Sequence, residues 1–122
     1  EYISSEMISS LSILQVLLLS HNSLTDFNLT RVLKFTSINL SYNKLKKFND
    51  RFLSLSLTST TSVIINNNKI NTIPPLTGVL WIAHDNNLEE IPCIKRINSE
   101  LRLVNFNNNK IKQLQSNCFS FT

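Results

Sequence analysis

The chain has 122 residues, 42% of them hydrophobic, with one glycine, three prolines and a net charge of +4. That is enough for one ordinary domain but leaves no glycine-rich phosphate loop and no flexible linker or domain boundary. The longest apolar stretch, residues 13–19, is interrupted by Gln15 and falls far short of the roughly 20 residues a membrane helix needs.

The opening EYISSEMISS begins on Glu1 and has no signal-peptide character. Ile8, Leu11 and Leu14 keep the spacing expected just before a strand, so it reads as the tail of an earlier repeat. The first full pattern follows as LQVLLLSHNSL, with Leu14, Leu17, Leu19, Asn22 and Leu24 at fixed offsets. The next is FTSINLSYNKL, with Phe35, Ile38, Leu40, Asn43 and Leu45. The third is TTSVIINNNKI, carrying Val63, Ile65, Asn68 and Ile70. A degenerate fourth, WIAHDNNL, carries Trp81, Ala83, Asn86 and Leu88. The fifth is LRLVNFNNNKI, with Leu101, Val104, Phe106, Asn109 and Ile111. Leu114 and Phe119 continue that spacing to the end of the chain.

Within each block the apolar residues alternate about a central position, which is the period of a strand with one face buried. Leu17 and Leu19 are therefore expected to face inward and Leu18 outward. From Asn22 to Asn43 is 21 residues; further steps of 25, 18 and 23 lead to Asn68, Asn86 and Asn109. The step of 18 implies that NTIPPLTG is a trimmed, extended link, since its two prolines resist helix. The five asparagines form one column, expected to bond the backbone of neighbouring turns rather than a ligand.

These five blocks resemble the leucine-rich repeat family over nearly the whole chain. The resemblance implies an α/β-type solenoid: a horseshoe with a concave parallel sheet and mostly irregular convex segments. It implies one domain over residues 1–122, of about five repeats. Terminal repeats normally carry polar caps; none is evident at either end, which reads as a piece of a longer protein. The back segments, such as KLKKFNDRFLSLSL, resemble the longer repeats of Toll-like receptors and of secreted insect immune proteins. INTIPP and LEEIP resemble those of extracellular proteoglycans.

Function is expected on the outward positions. The central column is Leu18, Asn39, Ile64, Ile82 and Asn105. Beside it run Val16, Ser37, Ser62, Leu80 and Leu103, and, where the strands end, His21, Tyr42, Asn67, Asp85 and Asn108. Three of the five central residues are aliphatic, and an exposed apolar strip marks a contact surface. The expected function is protein recognition through this face, with Leu18, Asn39, Ile64, Ile82, Asn105, His21, Tyr42 and Asp85 as contact residues. An oligomer or larger assembly is compatible with it.

No catalytic constellation is visible, and no cofactor is expected. His21 and His84 lie about 15 Å apart across the stacked strands. Asp85 adjoins His84, but successive strand side chains diverge. Two cysteines and two distant histidines make no metal cluster. The basic run Arg31, Lys34, Lys44, Lys46, Lys47 and Arg51, opposed by Asp50, reads as a solvated edge rather than a nucleic-acid surface. Cys93 and Cys118 fall in the back segments of adjacent repeats, close enough either to bond or to fill the core as free thiols. Asn28-Leu29-Thr30 and Asn39-Leu40-Ser41 are glycosylation acceptors, Asn28 the better one because it lies on a back segment. The sequons and a possible disulfide favour a secreted or cell-surface protein, and the resemblance to Toll-like receptor and insect immune repeats implies innate recognition or adhesion. An intracellular scaffold, or a repeat domain of a larger enzyme, are the alternatives.

Overall fold

The computed structural model describes residues 14–48, 51–57, 60–76, 78–92 and 101–112. Cys93, Cys118, Asp50, Leu114 and Phe119 lie outside the described residues. Five three-residue strands alternate with mostly irregular segments: β1 (Val16–Leu18), β2 (Ser37–Asn39), β3 (Ser62–Ile64), β4 (Leu80–Ile82) and β5 (Leu103–Asn105). All pair parallel, in chain order, in one sheet. Among the described residues one helix, α1 (Arg51–Ser56), lies between β2 and β3. This is a parallel-strand solenoid with little helix, consistent with the concave sheet of a repeat architecture.

The register has no stagger. Val16, Ser37, Ser62, Leu80 and Leu103 stand side by side, as do Leu18, Asn39, Ile64, Ile82 and Asn105. The middle residue of each strand turns inward. Leu17, Ile38, Val63 and Trp81 are buried, and Val104 is 36% exposed. The second inward column contains Leu40, Ile65 and Ala83, all fully buried, flanked by the partly buried Leu19 and Phe106. Trp81 and Ala83 are thus in register with the aliphatic pairs of the other repeats. A large residue beside a small one keeps the layer's volume matched, as close packing requires. Phe48 meets Trp81 edge-on, with centroids 6.4 Å apart, a favourable aromatic geometry.

The back of the solenoid closes over the same core. Phe27, Leu29, Leu33, Phe35, Phe48, Leu53, Leu57 and Leu76 are all buried. Ser56, at the end of α1, is buried; its hydroxyl donates to Phe52 O (2.6 Å) and accepts from Leu33 N (2.8 Å). That ties α1 to the preceding repeat. Residues 71–76 form no helix, and the short third repeat returns to β4 through Gly78 at φ +79°. A Cβ there would lie 2.0 Å from Thr60 O. The chain's only glycine stands where backbone must touch backbone.

Candidate functional site: the open face of the sheet

The residue before each column asparagine adopts the left-handed conformation. His21, Tyr42, Asn67, Asp85 and Asn108 have φ between 54° and 57°. This conformation reverses the chain at the strand end, and Asn, Asp and His are enriched in it. The next residue, the asparagine, then points back under the strand. Asn68 Nδ2 donates to Leu40 O (2.9 Å), Ile65 O (3.1 Å) and Asn66 O (3.3 Å), while its Oδ1 accepts from Leu45 N (3.0 Å). Asn43, Asn86 and Asn109 make the equivalent four bonds in the second, fourth and fifth repeats. Asn22 is exposed and bonds Leu19 O and Ser20 O. From Asn43 onward each column asparagine thereby hydrogen-bonds its repeat to the one before it at the strand end.

That face divides into two apolar areas with a polar gap. Across β3–β5, Ile64 neighbours Ile82 and Leu80 neighbours Leu103. With strands about 4.8 Å apart, these four side chains make one continuous patch. Leu103 is 53% exposed; Ile64, Leu80 and Ile82 are half-buried by their neighbours. On β1, Val16 and Leu18 form a second area, Leu18 being 67% exposed. Between them lie Ser37, Asn39 and Ser62. Asn39 Oδ1 is engaged locally, accepting from Ser41 N (3.0 Å) and Ser41 Oγ (2.8 Å). Asn105 Oδ1 accepts from Asn107 N in the same way.

His21, Tyr42 and Asp85 stand at the strand-end turn, beyond the strands. His21 and Tyr42 stack at 4.3 Å and 9°, an arrangement of neighbouring repeats that spacing alone did not indicate. His84 and Asp85 do not diverge as adjacent strand residues would. The left-handed backbone of Asp85 turns its carboxylate to His84 Nδ1 at 2.6 Å. The signal was present in the sequence at four of the five turns, since His21, Asn67, Asp85 and Asn108 are of the types enriched in the left-handed conformation, whereas Tyr42 is not.

The basic run is exposed throughout. Its phenylalanines, Phe35 and Phe48, are buried, Tyr42 is stacked on His21, and Arg51 lies over the Phe52 ring at 5.8 Å. Asn28 and Thr30 are exposed, whereas Asn39 is half-buried and Ser41 is buried. Among the described residues no group of His, Cys, Asp and Glu could hold a metal ion, and no helix is long and apolar enough to cross a membrane. No family model, curated protein or solved structure matches this chain.

Proposed function

We propose that the chain is a leucine-rich-repeat module that recognises a protein partner through the open face of its sheet, by binding and without catalysis. The observation that carries this reading is the continuous patch Ile64, Leu80, Ile82 and Leu103 on three paired strands. Strand exteriors facing only water are normally polar, and repeat solenoids use this surface for binding. The patch supplies an apolar anchor, and the polar gap and the strand-end turns supply a hydrogen-bonding rim.

The test is a binding screen against a panel of extracellular and surface proteins, run with the wild type, Ile82→Asp and Leu103→Asp. The expected result is loss of the wild-type binders by both variants, with unchanged circular dichroism. Binders retained by both variants refute the assignment of the face.

The setting we propose is a secreted or cell-surface protein of innate recognition or adhesion. The exposure of Asn28 and Thr30 supports it. Exported from eukaryotic cells, the chain is expected to carry a glycan that endoglycosidase removes and that Asn28→Gln abolishes. An unmodified exported chain argues against this setting.

A further inference from the structure

Just after each column asparagine, the repeat turns a corner. The residues three and four positions on are exposed: Thr25 and Asp26, Lys46 and Lys47, Asn71 and Thr72, Glu89 and Glu90, then Lys112. Buried residues hold the corner on both sides, for example Leu45 and Phe48, or Ile70 and Ile73. Backbone bonds from Asn71 N to Lys46 O (3.1 Å) and from Phe48 N to Thr72 O (3.2 Å) lock neighbouring corners together. The corners therefore form an edge with the spacing of the sheet, about 4.8 Å per repeat.

Charge along this edge alternates in sign. The first repeat is acidic (Asp26) and the second basic (Lys46 and Lys47, reinforced by Lys44). The third corner, Asn71 and Thr72, carries no charge itself, though Lys69 precedes it as Lys44 and Lys110 precede theirs; the fourth is acidic (Glu89 and Glu90) and the fifth basic (Lys112, preceded by Lys110). Among the described residues the one close ion pair is His84 with Asp85, on the other side of the asparagine column. None of the edge charges makes a close ion pair among the described residues, and Glu89, Glu90 and Lys112 line one depression.

The pattern is self-complementary. A two-fold axis through the third corner exchanges the second repeat with the fourth and the first with the fifth. Lys46 and Lys47 then face Glu89 and Glu90 of a second copy, twice over, and Asp26 faces Lys112. The offsets match because each pair lies equally far from the axis, about 5 Å for the inner pairs and about 10 Å for the outer one. A two-fold interface requires this relation, since the same patch must complement itself. A parallel alignment of two edges would instead set like charges against like. The neutral third corner also lies beside a depression of about 640 Å³ lined by Asn71, Thr72, Glu89, Glu90 and Lys112, with room for the lysine side chains of the opposing edge. Lys69 alone meets its own counterpart near the axis, and it lies two positions before the corner.

We propose that this chain pairs with a second copy of itself, antiparallel, along the post-asparagine edge. A uniformly acidic partner fits less well, because what it gains at Lys46 and Lys47 it loses at Glu89 and Glu90. The pairing leaves both open sheet faces uncovered, so one dimer presents two recognition surfaces. It does not depend on the function proposed for those faces.

The test is sedimentation equilibrium of the 122-residue chain. Dimer is expected at an ionic strength of about 0.01 M, where the Debye length is about 30 Å, and monomer at about 1 M, where it is about 3 Å. The double variants K46E/K47E and E89K/E90K should each weaken self-association about tenfold or more. Mixed together they should form a one-to-one dimer, because both inner contacts are then attractive. A chain monomeric at low ionic strength overturns the proposal. So does a dimer that survives either reversal, or a mixture that stays monomeric while both variants keep the wild-type circular dichroism.

Discussion

Replacing Asn68 with alanine isolates what the asparagine column contributes. The side chain makes four hydrogen bonds and is 9% exposed. Its three acceptors all keep another partner. Leu40 O still receives Asn43 Nδ2, Ile65 O still receives Asn86 Nδ2, and Asn66 O still receives Tyr42 N. Leu45 N is different, because its acceptor is Asn68 Oδ1. A buried amide left without an acceptor costs about 1–3 kcal/mol, and each lost bond to a still-paired carbonyl costs less. We therefore expect about 2–4 kcal/mol for Asn68→Ala. Asn68→Asp should be at least as costly, since it keeps the acceptor for Leu45 N but turns an oxygen toward three carbonyls. Asn22→Ala is the control: same residue, same register, but exposed, and expected to change stability by less than about 0.5 kcal/mol. Urea unfolding read by the emission of Trp81, the only and fully buried tryptophan, measures all three. Equal losses for Asn22→Ala and Asn68→Ala would refute the argument that burial and the inter-repeat bonds set the cost.

Gly78→Ala should destabilise by about 1–3 kcal/mol from its left-handed backbone alone. The contact of its Cβ with Thr60 O adds to this; a thermal melt equal to wild type would exclude the close approach. Leu40→Ala removes a fully buried side chain and should cost about 2–5 kcal/mol. Leu19→Ala, at the same repeat position but half-buried, should cost about 1–2 kcal/mol. A reversed order in denaturant midpoints would contradict the burial gradient along the stack.

The contrast between Leu19 and Leu40 shows where sequence reading stops. The spacing of the leucines sets the period-two strands and which residues turn inward, because alternation leaves no other way to bury one face. From the pattern alone both leucines are core residues of equal standing. Their different burial depends on how many neighbours stack on each side, which is a property of the assembled solenoid. The same holds for the outward residues: Ile64 and Leu103 are both aliphatic and outward by pattern, yet Leu103 is 53% exposed and Ile64 is half-buried by its neighbours.

The fourth repeat makes the point more sharply. An 18-residue step with Trp81 and Ala83 in leucine positions gave a weak signal for its register. The tertiary structure fixes it through Asn86, which bonds Ile65 O and accepts from Ile70 N as its counterparts do. Gly78 allows the shortened return by removing a side chain where Thr60 approaches.

The sequence by itself therefore determined the repeat, its inward residues and the asparagine column, since each follows from local periodicity. The columns of outward residues follow from it too; the tertiary structure decided how far each of them is exposed. It also turned Asp85 onto His84, stacked His21 on Tyr42 and aligned the charges of the post-asparagine edge. Those depend on residues about 20 positions apart being held side by side, and hydrogen bonds between repeats, not adjacency in the chain, hold them there.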